Sequence, residues 1–346
     1  MLQRTRLSTQ VEEHSKQAVE SKSPAFQGTE PTISTGSTLL DLAISGSVFS
    51  KGGLPGGILV EVFGPSGCGK TVLLCEIAGG VQRKGGDIMF RDPEGRLNKR
   101  FASLFGLNVD KIDYEIPDTV KDVFEPIRKW EPKGKGINGI FADSLAALTT
   151  EMEMEGADQY GMRRAKEFSE QLRLTCRELV KKNYLMVCSN QIRQNLDAGP
   201  YGQKWKAPGG AAIEFYSSLR LKCSMLEKIK RKRKIESGKE QQKIVGVETE
   251  IEVVKSSIDQ PYRKASVCIL FEYGIDDIRA NLQFLKSNIG GAKYAIGDHS
   301  LAVGLEESIR MVEEGKLEAK LREETIGLWR EIEEKFKETR RPKLRD

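Results

Sequence analysis

The run GPSGCGKT, residues 64–71, constrains this chain more than any other stretch of its 346 residues. It fits the pattern G-x-x-x-x-G-K-[ST], and it falls between ILVEVFG (58–64), which reads as a strand, and TVLLCEIAGGVQRKG (71–85), which reads as a helix. In that context the pattern is a phosphate cradle: glycines let backbone N–H groups close around phosphate oxygens, and the helix that follows adds its positive end. Gly64, Pro65, Ser66, Gly67, Cys68, Gly69, Lys70, Thr71 and Val72 are therefore expected to line a nucleotide site. Lys70 is expected to reach the β- and γ-phosphates, and Thr71 to bind Mg²⁺.

The rest of the chain agrees with such a fold. DIMFRD (87–92), GINGIFAD (136–143) and YLMVCSN (184–190) read as further strands, and 97–107, 119–130 and 162–183 as helices. Strands alternating with helices predict an α/β protein with a mainly parallel, twisted sheet covered on both faces. After residue 215 the pattern changes to successive strands, SSLRLKCSML, IVGVETEIEVVKS and KASVCILFEYG, an antiparallel extension of that sheet. Beyond about residue 282 the chain is charged and helical, with Leu321, Leu328, Ile332 and Phe336 near one face. The expected organisation is an N-terminal arm over 1–31, helical near 8–21, a core over 32–281 and a small α/β C-terminal domain over 282–346.

Composition excludes several classes. No apolar run approaches the roughly 18 residues that span a membrane, and the first residues lack the apolar segment of a secretory signal, so a cytoplasmic place is expected. The six cysteines stand apart at no metal-ligand spacing, which predicts free thiols, and two histidines leave little for a zinc site or a histidine-based triad. A net charge of +5 is mild and only hints at a polyanionic partner.

A phosphate cradle needs an acid on a neighbouring strand to help hold a metal. Asp143, closing GINGIFAD, is placed for it, with Ser144 beside it. Water attack on a phosphate also needs an orienting or deprotonating group, and FRDPEGRL offers Glu94, with Asp92 as rival. The stretch between Arg193 and Gly209 has the period of neither helix nor strand, yet it carries Tyr201, Lys204, Trp205 and Lys206 among glycines and prolines. Loops that long inside a compact domain are usually functional.

In order and spacing, ISTGSTLLDLAISG (33–46), GGLPGGILVEVFGPSGCGKT (52–71), FRDPEGRL (90–97), FADSLAAL (141–148), SNQIR (189–193) and PGGAAIEFYSSLRL (208–221) resemble the ATPase core of the bacterial RecA recombinases. The resemblance covers about residues 32–290 and implies a RecA-like P-loop NTPase core with ATP and Mg²⁺ as cofactors. It implies Glu94, not Asp92, as catalytic base, Phe101 at the adenine-stacking position, and Gln191 as sensor of the γ-phosphate. It also implies helical filaments of the protein with itself, on single-stranded DNA, pairing it with homologous double-stranded DNA at the nucleoid. Two loops would hold the strand. In 153–167 these are Tyr160, Met162, Arg163 and Arg164; in the second loop, Arg193, Tyr201, Lys204, Trp205, Lys206, Gly209 and Gly210. Phe215 falls at an interface position.

The chain also departs from the family. The second loop reads QKWKAPGG where threonines are usual, and of two lysines that reach a neighbour's ATP only Lys255 is present, Ser257 standing at the other position. A scaffolding paralogue without strand exchange therefore stays open; a hexameric helicase is disfavoured by ISTGS and SNQIR. Between two expected strands lies EKIKRKRKIESGKEQQK (227–243), in which six of the seven residues from Lys228 to Lys234 are basic. Either it is a solvated hairpin, or Arg231, Lys232, Arg233 and Lys234 form a second DNA surface.

Overall fold

A computed structural model describes residues 28–149, 162–191, 193–194, 205–206 and 211–340. Residues 31–346 belong to one compact unit. The expected arm helix near 8–21 lies outside the described residues.

Nine strands build the main sheet: β1 (Ile58–Gly64), β2 (Ile88–Arg91), β3 (Asp113–Glu115), β4 (Gly139–Ala142), β5 (Leu185–Gln191), β6 (Leu219–Lys234), β7 (Glu240–Ser256), β8 (Lys264–Leu270) and β9 (Gly274–Ile275). Their order across the sheet is β9-β8-β7-β6-β1-β5-β4-β2-β3. From β6 to β3 every pairing is parallel, and from β6 to β9 every pairing is antiparallel. The expected mixed α/β sheet is thus observed, with β6 as the hinge between its two halves.

The parallel strands read as near-continuous apolar runs because both faces are covered. Leu59, Met89, Ile140, Met186 and Cys188 share one apolar cluster with Val123, Phe124 and Ile127 of α4 (Val120–Lys129) and Phe168 and Leu172 of α5 (Met162–Lys182). Strand alternation turns Val60, Val62, Phe90, Phe141 and Val187 to the opposite face, where they are equally buried. Each such side chain contributes about 1.5–3 kcal/mol. Local signals fix the ends of several helices. Ser37 caps α1 (Thr38–Ser45), Asn98 caps α3 (Lys99–Leu104), and Thr119 with Asp122 forms a capping box on α4.

Past β9, α7 (Asp277–Ile289), α8 (Leu305–Glu314) and α9 (Glu318–Lys335) gather Leu282, Leu285, Ile296, Leu301, Ile309, Val312 and Leu321 into a cluster of their own. The face expected for α9 is corrected in part. Leu321 is buried and Leu328 packs on the cluster, but the buried positions beside Leu321 are Thr325 and Ile326, and Phe336, just past the helix end, is 86% exposed. The basic segment 227–243, expected between two strands as a solvated hairpin or a DNA surface, forms the far part of those two strands themselves. The β6–β7 ladder runs on through it to Lys234 opposite Glu240, because backbone hydrogen bonds sustain a two-stranded ribbon whatever its side chains carry. None of the described helices is long and apolar enough to cross a membrane.

Candidate nucleotide site

The carboxyl ends of four parallel strands meet at one edge of the sheet, the place where open α/β sheets bind ligands. β1 ends in Gly64 and turns into α2 (Lys70–Arg83). In that turn Gly67 and Gly69 have φ of 79° and 85°, a left-handed backbone that residues with a Cβ rarely adopt. A Cβ on Gly69 would also run into Ile269 Cδ1. Two left-handed glycines let the turn at the expected cradle close tightly. Lys70 is buried, and its Nζ donates to the carbonyls of Gly64 (2.9 Å) and Pro65 (2.8 Å). Cys68 is buried beneath the loop. Its thiol is pushed down to about 7, chiefly by the hydrogen bond from Cys223; burial opposes this and the Lys70 charge supports it.

The acids sit on the next strands. Asp143 follows β4, and its carboxyl is pushed upward by burial, against the hydrogen bonds from Ser189 and Thr71; the charges of Asp92 and Glu94 push the same way as burial. The Asp143–Ser144 peptide is cis. Thr71 and Asp143, the two residues expected at the metal, thus lie near one another. Among the described residues there is no cluster of three or more His, Cys, Asp or Glu able to hold a metal unaided.

Glu94 is a meeting point. Its Oε1 accepts from Ser144 Oγ (2.8 Å) and from Gln191 Nε2 (3.2 Å), and its Oε2 pairs with Arg96 Nη1 at 2.6 Å. Gln191 closes β5 directly opposite Gly64, so one side chain joins the strand beside the cradle to Glu94. Asp92 has a different occupation: its Oδ2 accepts from the Leu97 backbone N–H (2.8 Å) and the Tyr114 hydroxyl (3.0 Å), which folds the turn that presents Glu94. Burial and the neighbouring Asp92 push the Tyr114 hydroxyl up to about 12.

Phe101 lies in α3, half-buried and edge-on to Phe105 at 4.6 Å. On the other side of the cradle, Lys255 Nζ donates to the carbonyls of Glu214 (2.7 Å) and Phe215 (2.8 Å), at the end of α6 (Ala211–Tyr216), so these two expected interface residues lie together. Burial and the charge of Arg220 push the Lys255 ammonium downward. Phe215 is 74% exposed.

The candidate DNA loops fall only partly within the described residues. Tyr160, Tyr201, Lys204, Gly209 and Gly210 lie outside the described residues. Met162, Arg163 and Arg164 open α5, and a two-residue ladder pairs Arg193 with Lys206 and Gln194 with Trp205, drawing the two ends of the second loop together. Arg231, Lys232, Arg233 and Lys234 lie on the far part of the ribbon, where Arg231 meets Glu306 and Lys232 meets Glu240, each at 3.5 Å.

Sequence reasoning missed Arg96, Ser189 and a buried chain in which Asn190 Nδ2 donates to Glu61 Oε1 (3.0 Å) and Glu61 Oε2 pairs with Arg220 Nε (2.6 Å). Arg96 could have been found as the cation two residues beyond Glu94. Glu61 could have been found as the one charge inside the apolar run ILVEVFG.

A cradle between a parallel strand and a helix, with acids and a glutamine on the adjoining strand ends, defines a P-loop nucleotide-binding protein of the α/β class. The model of the RecA N-terminal domain matches residues 10–276. Protein RecA of Borrelia hermsii (strain HS1 / DAH) is 33% identical over 313 residues, 87% of this chain and 83% of the relative. Protein RecA of Halalkalibacterium halodurans is 32% identical over 315 residues, 87% of this chain and 85% of the relative. Protein RecA of Wolbachia sp. subsp. Brugia malayi is 34% identical over 283 residues, 80% and 75% respectively. The chain belongs to the RecA family. It is a divergent RecA-type recombinase, an ATP- and DNA-binding protein and a DNA-dependent ATPase.

Proposed function

We propose that the protein assembles into helical filaments on single-stranded DNA, with ATP held where subunits meet, and pairs that strand with a homologous duplex in the cytoplasm, at the nucleoid. Glu94 serves as the base that prepares the attacking water, and Gln191 senses the terminal phosphate. The observation that carries this reading is the shared contact at Glu94: Gln191, one strand from the cradle and at the root of the 192–210 loop, hydrogen-bonds the same carboxylate oxygen as Ser144. A terminal phosphate that draws Gln191 away from Glu94 would change the root of the loop and the carboxylate in one movement.

A hydroxyl and a carboxylate near one another, Thr71 and Asp143, fit Mg²⁺, a hard cation that takes few protein oxygens and completes its shell with phosphate and water. Bound there, the cation would neutralise charge on the phosphates. Lys70 supplies an ammonium at the same turn, and Glu94 takes the proton of the water. Lys255 and Phe215, together at the end of α6, would face the neighbouring subunit; Tyr160, Met162, Arg163, Arg164, Arg193, Tyr201, Lys204, Trp205, Lys206, Gly209 and Gly210 would share contact with the strand, neutralising phosphates and stacking on bases.

The test is strand exchange with ATP, with a slowly hydrolysed analogue, and with Glu94→Gln. The expected result is that Glu94→Gln keeps ATP and DNA binding and filament formation while its turnover falls by about 100-fold or more. A parent protein that binds ATP and DNA but never pairs homologous strands is instead the scaffold.

A further inference from the structure

The Glu94 carboxylate has a third partner beyond Ser144 and Gln191. Arg96 Nη1 lies 2.6 Å from Glu94 Oε2, and the two residues differ sharply in freedom: Glu94 is 15% exposed and Arg96 72%. Three side chains thus run outward from the cradle in contact: Gln191 beside Gly64, then Glu94, then Arg96. A guanidinium on a solvent-facing stem can turn without repacking the core, and its planar fork can hold a carboxylate with one edge and a phosphate with the other.

The local charge gives it a task. Asp92, Glu94 and Asp143 gather three carboxylates at this edge, and a nucleotide adds its own negative charge. Lys70 supplies one ammonium at the cradle, where it also donates to the carbonyls of Gly64 and Pro65. As water attacks the terminal phosphate, charge moves onto that group and its leaving oxygen, and a cation there lowers the barrier. Ser257, standing where the family resemblance implies a second interface lysine, carries no charge, and its hydroxyl donates to the Ser218 carbonyl at 3.3 Å.

We propose that Arg96 is a further catalytic residue, which bridges Glu94 and the terminal phosphate of ATP and supplies positive charge from within the same subunit. This inference rests on the reading of Glu94 as the base, but it is measured separately from strand exchange. The bridge orients the carboxylate toward the attacking water and stabilises the phosphate as its charge changes. Because ADP lacks that phosphate, Arg96 distinguishes ATP from ADP.

The experiment compares the parent, Arg96→Ala, Arg96→Lys and Glu94→Gln in steady-state ATP hydrolysis on single-stranded DNA, and titrates each with fluorescent ATP and ADP analogues. Urea unfolding verifies that the variants are folded, and an exposed side chain should leave the midpoint nearly unchanged. Arg96→Ala is expected to lower kcat by about 100-fold with less than about a tenfold rise in KM. It should weaken ATP several-fold while leaving ADP within about twofold, and Arg96→Lys, lacking the fork, should recover only part of the rate. A kcat for Arg96→Ala within about threefold of the parent or above it, or equal weakening of ATP and ADP, overturns the proposal. If the parent itself does not exchange strands, the recombinase reading fails, yet the ATP-against-ADP comparison still decides the role of Arg96.

Discussion

The two halves of β6 treat charge in opposite ways. Near its start, beside the parallel strands, Arg220 is 12% exposed, held between Glu61 at 2.6 Å and Glu214 at 2.8 Å, and it lies over the ring of Phe63 at 4.6 Å. Toward its end, Lys228, Lys230, Arg231, Lys232, Arg233 and Lys234 crowd one short stretch. Among the described residues, only Arg231 and Lys232 of these six have an acid within 4 Å. One strand therefore holds a charge that the fold cannot lose and a set of charges most of which have no acid within reach. Charge of the first kind is part of the architecture, and charge of the second kind is available to a partner.

The sharpest test of that contrast is Glu61→Ala. Glu61 is fully buried in the middle of β1, and its removal strips the principal partner from Arg220 and takes away an acceptor of Asn190 Nδ2. A buried ion whose partner is deleted typically costs about 3–5 kcal/mol; the Glu214 contact that survives places this variant near the lower end. Urea unfolding at neutral pH measures it, and a loss below about 1 kcal/mol would place Arg220 with the charges the fold does not need.

The next effect in size concerns Asp41, wholly buried in α1, where its carboxyl accepts from Ser34 Oγ (2.5 Å), Thr35 N (2.7 Å) and Thr35 Oγ1 (2.8 Å). Burial pushes it up to about 6, against those hydrogen bonds and the Arg322 charge. The folded protein then binds this proton more tightly than the unfolded chain does. Its contribution is complete below about pH 4 and is lost as pH rises through about 6, a change on the order of 3 kcal/mol. Asp41→Asn should flatten that fall. Urea midpoints of parent and variant taken from pH 4 to 7 decide it, and parallel curves would mean that Asp41 does not titrate in this window.

The sequence alone made legible whatever depends on local pattern. The parallel strands could be read because burial on both faces makes them apolar throughout, and the cradle because its glycines, lysine and threonine stand at fixed offsets between a strand and a helix. Partnerships across the sheet were not readable in this way. Glu61 and Arg220 are 159 residues apart, and Ser189 meets Asp143 only because β5 lies beside β4. Phe336 was misjudged since helical period assigns a side chain to a face, whereas burial depends on what packs there. How far the strands run past residue 226 was not readable, because charge masks the alternation that marks a strand, while the backbone pairing that forms it leaves no trace in composition.

The smallest effect on the fold is expected where the charges have no structural employment. Changing Lys232, Arg233 and Lys234 together to Gln removes three cations from exposed positions near the tip of the β6–β7 ladder, where Lys232↔Gln242, Arg233↔Gln241 and Lys234↔Glu240 pair through the backbone. Stability should stay within about 0.5 kcal/mol of the parent, as for most exposed substitutions. If the ribbon is a second DNA surface, duplex affinity falls, and the slope of log affinity against log salt drops by about 0.9 for each phosphate that is no longer neutralised. Because Glu240 competes with phosphate for Lys232, one such step per substituted cation is an upper bound. An unchanged slope would show that these cations only solvate the ribbon. A loss of stability would instead break the comparison itself, since the far half of β6 would then need its charges as the near half needs Arg220.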